Sequence, residues 1–434
     1  MTGTRAGSSW LAASKRAATN PPRPREFARI LCGVGVAVGA VNLVWVARGQ
    51  SITPVPNTSV SYPSALSGDG SVIIGIGVIE NQNRACRWSS QTGLQVLDTL
   101  PGLPGSSAEG VNADGSVVVG YCYLPGSNFG QHAVRWNANG TVQDLGLFSS
   151  GRFSKATWVS GDGSVVVGIS EVFGTTNHAF RWTAGTGLQD LGIGAAVAYG
   201  VSADGNSIVG GMGFGAGVAF RWTEAMGVRS LGVLPGASSS YAMAANADGS
   251  VVIGMSTLST GIPSAFRWSA ETGMQNLGAP AGMVNAQVRR ISSDGSVVVG
   301  YCPTLTGSDY RAFIWTSLSE MTTLNDYLAA RGVDMSQWTL RFAFGLSSDG
   351  QTILGSGYQG TAWRNWIVHL DTPCVANCDG SSVGPALNIL DFMCFLNAFA
   401  SGESRANCDG STTEPVLNVQ DFVCFLSHFA AGCP

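Results

Sequence analysis

Between residues 51 and 371, the hydrophobic positions of the chain form short runs that repeat at a nearly constant interval. Each run, of the type SVVVG, follows an Asp-Gly pair and ends in glycine. Apolar runs without polar alternation are typical of strands covered on both faces. Asp-Gly favours a type I′ hairpin turn, in which both residues have positive φ. The aspartates are Asp69, Asp114, Asp162, Asp204, Asp248, Asp294 and Asp349, and the closing glycines are Gly75, Gly120, Gly168, Gly210, Gly254, Gly300 and Gly355.

Two further patterns follow within each repeat. One is a strand that closes on tryptophan, and the other, present in six copies, is a strand of the type LQDLG. Four strands in about 45 residues correspond to one blade of a β-propeller. The sequence therefore predicts an all-β fold, a seven-bladed β-propeller over residues 51–371. We expect the tryptophans to fill the wedges between blades, since each buries about 150–250 Å². They are Trp88, Trp136, Trp182, Trp222, Trp268, Trp315 and Trp366.

The seventh repeat is incomplete, because the chain reaches Asp371 without a strand of the LQDLG type. A closed ring needs a fourth strand in that blade. The segment from Ser51 to Asn57 precedes the first repeat and belongs to no other blade. We therefore expect it to complete the seventh blade and to join the two ends of the propeller in one sheet.

The third-strand motifs carry a family resemblance. HAFRW (His178–Trp182) with LQDLG (Leu188–Gly192), together with the variants HAVRW, VAFRW and SAFRW, resembles the HAF-family extracellular repeat. The resemblance covers most of residues 51–371. It implies export and a propeller-like array, and it implies no particular activity.

Composition and charge narrow the classes of function. Only 12% of the residues are charged, the formal net charge is −4, and there are 59 glycines. This composition is typical of turn-rich β structure. Because no basic cluster lies beyond the first 50 residues, we expect no nucleic-acid partner.

The first 50 residues differ from the rest of the chain. A basic leader precedes the apolar stretch from Ile30 to Ala47, and this order predicts an export signal, or a membrane anchor if the segment is not cleaved. In either case we expect the remaining chain to be secreted or on the cell surface. Cys32 lies at the start of the apolar stretch after Leu31, where a lipoprotein signal needs a small residue, and we treat it as incidental.

Recurring polar residues in the repeats favour structural roles. Aspartates present in every copy at a turn are expected to stabilise the turn. His132 and His178 occupy equivalent positions and are interpreted as local variants, while His369 and His428 are isolated. The arginines before tryptophan are expected to pair with backbone or to stack between blades, the alternative being a channel for a polyanion. They are Arg87, Arg135, Arg181, Arg221 and Arg267.

Departures from the repeat are better guides to a site, because propellers place function in irregular loops at one mouth of the ring. The longest insertion, Asn325 to Trp338, predicts a short helix capping one face, and we place a ligand or partner there. A glycosidase would need two facing carboxylates. The non-repeated acids are Glu80, Glu109, Glu171, Asp309 and Glu320, and nothing in the sequence brings two of them together. No catalytic residues are assigned.

Cysteines in the repeats allow two interpretations. Cys86 and Cys122 lie on neighbouring blades, so that they form a disulfide or remain free buried thiols. Cys302 occupies the position of Cys122 in the sixth repeat.

Residues 372–434 form a separate, duplicated module. The segment repeats at a strict offset of thirty residues, and each half pairs a polar stretch with apolar positions of helical spacing, such as Phe392, Phe395, Leu396 and Phe399. Short oxygen-bearing side chains and a glycine before each helix are typical of a calcium loop. The candidate ligands are Asn377, Asp379, Asn388, Asp391, Asn407, Asp409, Asn418 and Asp421.

This arrangement resembles a dockerin, and in particular dockerin-like domains that end in Gly-Cys, here Gly432 and Cys433. The resemblance implies calcium as a cofactor and attachment to a protein partner or surface. The chain departs from the family's loop, because Val375 and Arg405 stand where its first aspartate belongs, and the path to Asp391 is several residues too long.

Six of the ten cysteines lie in this module, which predicts a disulfide scaffold. Symmetry favours Cys378 with Cys394, Cys408 with Cys424, and Cys374 with Cys433, and exchange between halves is equally symmetric. A zinc site fits the spacing and the exported setting poorly.

Two classes of function follow from these observations. We expect an exported, non-enzymatic binding or scaffold protein, in which the propeller presents loops and the tail mediates attachment. The alternative is a secreted carbohydrate-active enzyme with its site at one mouth of the propeller. A self-associating surface-layer component is a third interpretation.

Overall fold

The computed structural model describes residues 50–56, 60–127, 130–149, 151–172, 176–213, 217–258, 261–307, 309–317, 319–370, 389–401 and 418–431. The chain divides into Met1–Val46 and Ala47–Pro434. The first of these units, with its predicted signal or anchor, lies outside the described residues. None of the helices in the described part is long and apolar enough to cross a membrane.

The fold from residue 51 to residue 370 is a seven-bladed β-propeller, as predicted, and each blade is a four-stranded antiparallel sheet. Blade 1 contains β2 (Tyr62–Leu66), β3 (Val72–Ile79), β4 (Gln82–Ser89) and β5 (Gly93–Val96). Blade 2 contains β6 (Gly105–Val111), β7 (Val118–Tyr123), β8 (His132–Trp136) and β9 (Val142–Gly146). Blade 3 contains β10 (Ser154–Val159), β11 (Val166–Val172), β12 (Thr176–Thr183) and β13 (Gly187–Asp190). Blade 4 contains β14 (Ala196–Val201), β15 (Ser207–Met212), β16 (Val218–Thr223) and β17 (Gly227–Gly232). Blade 5 contains β18 (Ala237–Ala245), β19 (Val251–Leu258), β20 (Pro263–Ser269) and β21 (Gly273–Gly278). Blade 6 contains β22 (Gln287–Ile291), β23 (Val297–Pro303), β24 (Tyr310–Thr316) and β25 (Ser319–Thr323). Blade 7 contains β26 (Trp338–Leu346), β27 (Thr352–Gln359), β28 (Ala362–His369) and, from the other end of the chain, β1 (Ser51–Pro54).

The seventh blade closes the ring as predicted. Ser51 pairs with His369 and Pro54 with Trp366, in antiparallel register. Ile52 also packs against the core between blades 6 and 7. The two ends of the propeller are therefore held in one sheet, and the ring has no open edge between its first and last repeats.

The core of the propeller is divided into seven wedges, one at each contact between neighbouring blades. All seven predicted tryptophans lie in these clusters. Trp136, fully buried between blades 1 and 2, donates from its indole nitrogen to the carbonyl oxygen of Asp98 at 2.7 Å. A large amphipathic ring suits this position, because its apolar body fills the wedge while its N–H finds a partner.

One tryptophan occupies a different register from the one we expected. Trp366 pairs with Gly355, whereas Phe180 pairs with Gly168 and Trp182 with Val166. Trp366 therefore takes the place of the phenylalanine of the HAFRW motif, two residues from the tryptophan position. The third strand of blade 7 reads RNW rather than AFRW, so the motif could not fix its register.

The glycine that ends each apolar run is required by a bulge in the first strand of the blade. At Gly168 a Cβ atom would lie 2.0 Å from the carbonyl oxygen of Lys155 and 2.8 Å from the ring of Phe180. The same clash recurs at all seven closing glycines, with the carbonyl oxygen at 2.0–2.2 Å. The first strand carries a register shift opposite the glycine, as between Ala156 and Trp158 in blade 3. The bulge turns a carbonyl towards the second strand, and only glycine leaves room for it.

The Asp-Gly turns are not of type I′. Only the glycine has positive φ, for example 76° at Gly163, and the aspartate does not. The aspartate instead accepts hydrogen bonds: Asp162 Oδ1 accepts from the backbone N–H of Ser164 at 2.9 Å and from the hydroxyl of Ser160 at 2.6 Å. Ser160 in turn accepts from the N–H of Val165. The aspartates thus have the structural role we expected, by a different mechanism, since their side chains mimic a backbone turn.

A closed circle of backbone hydrogen bonds joins the seven turns. In each turn an N–H donates to a carbonyl oxygen of the next turn, and the N–H of Ser348 in blade 7 returns to Gly68 in blade 1 at 2.7 Å. The other donor and acceptor pairs are Asp69 with Ala113, Ala113 with Gly161, Gly161 with Ala203, Asp204 with Ala247, Ala247 with Ser293, and Ser293 with Ser348. The residues at these positions are small because neighbouring turns almost touch. A Cβ at Gly68 would lie 2.5 Å from the hydroxyl of Ser348.

The insertion after blade 6 forms the predicted helix, α1 (Leu324–Ala329). Thr323 caps it by accepting from the N–H of Asp326 at 3.1 Å. The expectation that this helix caps a face of the ring is wrong. Leu324 and Leu328 are fully buried in the wedge between blades 6 and 7, so the helix is part of that interface.

Two helices follow the propeller, α2 (Ile389–Ser401) and α3 (Val419–Ala431), as the helical spacing predicts. They pack through phenylalanines, and the rings of Phe395 and Phe425 stack with centroids 4.0 Å apart. Asp391 and Asp421, in the first turn of each helix, are fully buried. Cys394 and Cys424 are disulfide-bonded. The other predicted ligands and cysteines, apart from Asn418, lie outside the described residues, so the calcium site and the pairing scheme stay predictions.

The three described cysteines of the propeller are free thiols. Cys86, Cys122 and Cys302 are fully buried, and the alternative disulfide between Cys86 and Cys122 is wrong. Burial raises the pKa of Cys122 to about 11 and that of Cys302 to about 12. These thiols therefore behave as small apolar core residues.

The close contact at the run-ending glycines leads to a prediction. Replacing Gly168→Ala should destabilise the propeller by about 2–3 kcal/mol, the usual cost of overpacking a closely fitted site. Urea unfolding followed by tryptophan fluorescence measures the change. Gly185→Ala in the same blade is the control, because a Cβ there meets nothing within 4 Å. Equal stability of the two variants would contradict this explanation of the repeat.

Candidate binding site in the upper vestibule

The channel through the ring has two different mouths. The first strands of neighbouring blades contact one another around it. We call the mouth with the Asp-Gly turns the lower mouth. The upper mouth carries the loops between second and third strands and the connections from one blade to the next.

The bulge in each first strand leaves one residue outside the pairing register. In blades 2, 4 and 6 these residues are Glu109, Tyr199 and Arg289. They differ from blade to blade, while the glycine opposite does not. The regular backbone of the repeat therefore supports an irregular set of side chains along the channel.

Aromatic residues surround the upper part of the channel on five of the seven blades. This aromatic girdle consists of Tyr121, Tyr199, Tyr241, Tyr301 and Phe342. Two pairs of its members contact each other, with ring centroids 5.9 Å apart for Tyr199 and Tyr241 and 4.9 Å apart for Tyr301 and Phe342. Burial raises the pKa of the phenols of Tyr121, Tyr199 and Tyr241. They are therefore uncharged donors and acceptors at neutral pH.

On blade 7 the girdle continues outward to the rim. Phe342 lies against Trp363, whose side chain is 46% exposed at the upper mouth, and Trp363 meets Tyr358 edge-on at 5.1 Å. The guanidinium of Arg341 lies 5.6–6.0 Å from the rings of these three residues. This rim presents flat apolar faces beside a cation.

Asp309 neutralises part of this rim. Its carboxylate forms ion pairs with Arg311 and, at 2.5 Å, with Arg341. Burial opposes its ionisation, but the hydrogen bond and charge of Arg311, with the charge of Arg341, outweigh burial and lower the pKa of Asp309. Asp309 is thus a charged positioning group for the arginines.

A group of charged residues crosses the channel below the girdle, and we call it the floor. The guanidinium of Arg290, from blade 6, lies 3.9 Å from the ring centroid of Trp158 on blade 3. Arg289 donates to the hydroxyl of Tyr301 at 2.5 Å. Lys155 lies 4.8 Å over the ring of Tyr121.

Burial and neighbouring charges shift two of the floor groups. Burial, with the charge of Arg289, lowers the pKa of Arg290 to about 9, even though the open channel leaves part of its side chain accessible. Burial also raises the pKa of Glu109, and it outweighs the hydrogen bond from Ser107 and the charges of Lys155 and Arg290. The floor therefore holds three cations and one carboxylate with a weakened tendency to ionise.

Below the floor the channel narrows to a cavity of about 100 Å³. Arg290 and Trp158 line it, together with Gly68 and Ala113 of the turn circle and larger apolar side chains such as Met243.

The five acids singled out from the sequence lie in different environments. Glu109 and Asp309 lie along the channel and its rim, each with its own partners. Glu171 is buried and pairs with Arg152 at 2.7 Å, while Glu80 and Glu320 are exposed. Across the described part of the chain, no group of three His, Cys, Asp or Glu residues could hold a metal ion.

Two of the recurring arginines and both recurring histidines have local partners. Arg87 donates to the carbonyl oxygen of Gly115 in the next blade, and Arg221 donates to Ser207. Both bonds agree with the expected structural role. His132 and His178 each pair with the aspartate of the QDLG strand beside them, at 2.8 and 2.7 Å.

Sequence reasoning missed the girdle and the floor. The signals were present as departures from the repeat, since tyrosine follows the closing glycine only in blades 2 and 6, at Tyr121 and Tyr301. Arg289 and Arg290 are adjacent arginines in the first strand of blade 6. The hydrophobic pattern could not show that strands from different blades bring these residues together across a channel.

The propeller is similar in fold to solved structures. An oligogalacturonate lyase from Vibrio parahaemolyticus aligns with a TM-score of 0.50 and 12% identity, over 73% of this chain and 93% of that one. A putative TolB from Agrobacterium tumefaciens gives a TM-score of 0.41 and 13% identity, over 70% and 99%. A prolyl endopeptidase gives 0.48 and 11%, over 75% and 50%. At sequence identities of 11–13%, these similarities indicate a common fold and say nothing about the function of this chain.

Comparison with protein-family models gives no match, and comparison with the curated proteins gives none either. The HAF-repeat and dockerin-like resemblances stay predictions.

Proposed function

We propose that this protein is an exported, non-enzymatic binding protein that holds a saccharide in the upper vestibule of its propeller. The observation that carries the proposal is the aromatic girdle with its exposed rim at Trp363. A concave, mostly aromatic surface with a few polar groups is the usual form of a small-ligand site. Aromatic faces stack on the apolar C–H faces of sugar rings, while tyrosine hydroxyls and arginines bond the sugar hydroxyls.

The partners of the two channel acids favour binding over catalysis. Asp309 is held by two arginines, and Glu109 accepts a hydrogen bond from Ser107 at 2.7 Å. Hydrolysis of a glycosidic bond needs two carboxylates on opposite sides of that bond. These two groups serve other partners.

The tail completes the proposal as an attachment module. The fully buried Asp391 and Asp421 and the disulfide-bonded Cys394 and Cys424 occupy equivalent positions in its two halves. This symmetry supports one calcium loop and one disulfide in each half, with a protein partner or the cell surface as the site of attachment. The N-terminal segment supports export.

A secreted carbohydrate-active enzyme is the second candidate, and Glu109 favours it. A carboxyl group with a raised pKa in a channel is suited to general acid catalysis. Mass spectrometry of the saccharide after incubation separates the two functions. An intact saccharide supports binding, whereas shortened products that disappear in Glu109→Gln would establish the enzyme.

The rim leads to a binding prediction. Trp363→Ala should weaken saccharide binding on the order of tenfold or more, because it removes an aromatic anchor from the mouth. Oligosaccharide arrays identify a ligand, and calorimetry measures its affinity. Met226→Ala, on the lower side of blade 4, is the control, since that side chain is 64% exposed and outside the vestibule. Failure of the wild-type protein to bind any saccharide would contradict the proposal.

The tail leads to a calcium prediction. Calorimetric titration of Ca²⁺ into the metal-stripped full-length protein should show saturable binding. The double variant Asp391→Asn with Asp421→Asn should abolish it, and Glu320→Gln should leave it unchanged. Binding that persists in the double variant, or no binding by the wild-type protein, would remove calcium from the attachment module.

A further inference from the structure

We propose that the floor of the vestibule is a carboxylate-binding site formed by Arg289, Arg290 and Lys155, so that the saccharide is an acidic one. This inference rests on the proposed function and specifies its ligand. An acidic sugar would place its ring against the girdle and its carboxylate on the floor.

The two arginines of the floor form no ion pair with a carboxylate among the described residues. The Nε atoms of Arg289 and Arg290 are buried and have no hydrogen-bond partner among the described residues, a feature that they share with five other arginines of the propeller. Arg290 donates only to backbone carbonyl oxygens, those of Arg289 at 2.9 Å and of Ser64 at 3.5 Å. Buried guanidinium groups normally satisfy their donors. A ligand carboxylate would supply acceptors that the protein does not.

The floor of the vestibule has an excess of positive charge. The whole chain has a formal net charge of −4, yet the floor carries three cations against Glu109. Arg289 and Arg290 repel each other, and the charge of Arg289 contributes to the lowered pKa of Arg290. Like charges held together in a channel raise the local concentration of oppositely charged ligands. An anion between them would relieve the repulsion.

Neighbouring aromatic side chains hold the two arginines of the floor in place. Trp158 stacks on the guanidinium of Arg290 at 3.9 Å, and Tyr301 accepts from Arg289 at 2.5 Å. Stacking fixes the plane of a guanidinium, and a fixed plane can bind a carboxylate through two parallel hydrogen bonds. The cost of ordering these side chains is therefore met before the ligand arrives.

Glu109 selects the charge of the ligand. The charges of Lys155, on the neighbouring blade 3, and of Arg290, on blade 6, act on its carboxyl group, and Tyr121 and Ser107 are its other neighbours. Its carboxylate repels a doubly charged phosphate group more than a singly charged carboxylate. When Glu109 is protonated, this repulsion disappears. Since burial raises its pKa, protonation sets in above the usual range for glutamate, and affinity should increase as the pH falls through that pKa.

The test compares glucuronate with glucose by calorimetry on the full-length protein at pH 5 and pH 8. We expect saturable binding of glucuronate, at least tenfold weaker binding of glucose, and tighter binding of glucuronate at pH 5. Arg289→Gln and Arg290→Gln should each weaken glucuronate binding by tenfold or more, and Arg290→Lys should retain part of it. Glu109→Gln should strengthen binding at pH 8 and remove the difference between the two pH values.

Arg331→Gln is the matched control, because Arg331 is exposed and stacks on Tyr327 outside the channel. Circular dichroism and thermal unfolding check that each variant folds. Equal affinity for glucose and glucuronate, or glucuronate binding unaffected by Arg289→Gln and Arg290→Gln, would overturn the inference.

The outcomes separate this inference from the proposed function. If neutral oligosaccharides bind and Trp363→Ala abolishes that binding without any role for the arginines, the proposed function stands and the carboxylate site fails. If glucuronate binds through the arginines but Trp363→Ala has no effect, the carboxylate site stands and the aromatic rim fails. If the wild-type protein binds neither glucuronate nor any oligosaccharide of the array, both the carboxylate site and the proposed function fail.

Discussion

A closed circle of seven backbone hydrogen bonds joins the Asp-Gly turns at the lower mouth, and the geometry of the propeller depends on it. Each turn donates to its neighbour, and the last returns to the first at Gly68. Seven turns in mutual contact fix the spacing of the seven first strands. Small residues are needed at the points of contact, and the aspartates and the Ser or Asn residues two positions earlier hold each turn in shape by accepting backbone hydrogen bonds. At the outer edge of blade 7, β1 adds the last strand from the other end of the chain and so ties the two ends of the ring together.

The same constraint separates the uniform part of the channel from its variable part. The lower mouth is uniform, since every blade must present the same turn to the next. The bulge above it, opposite a glycine in every blade, frees one residue per first strand from pairing. Those residues vary, and in this chain they include Glu109, Tyr199 and Arg289. The regular ring therefore positions an aromatic and cationic set of side chains around its channel.

The sequence predicted the structural elements that depend on short motifs or on patterns repeated in every blade. Seven apolar runs, seven tryptophans and the missing strand of the last repeat led to the blade number and to the closure by Ser51–Pro54. The predictions were wrong where contacts between neighbouring blades determine the local conformation or the position of an element. The turns were expected to be type I′ because Asp-Gly was considered alone, whereas neighbouring turns impose another geometry. The helix α1 was expected to cap the ring, but Leu324 and Leu328 fit the wedge between blades 6 and 7. Tyr121, Tyr301 and Arg290 were passed over, since only the closed ring brings them to one channel.

The most direct test of the turn circle is amide hydrogen exchange, measured by mass spectrometry on the intact protein and on a variant lacking Ser51–Pro54. In the intact protein, we predict slow exchange at a common rate for the seven donor N–H groups of the turns. They are those of Asp69, Ala113, Gly161, Asp204, Ala247, Ser293 and Ser348. Without β1, exchange should become faster at all seven together, because the circle acts as a unit. Faster exchange confined to blade 7, with the other turns unchanged, would show that the blades are held independently and would contradict the account.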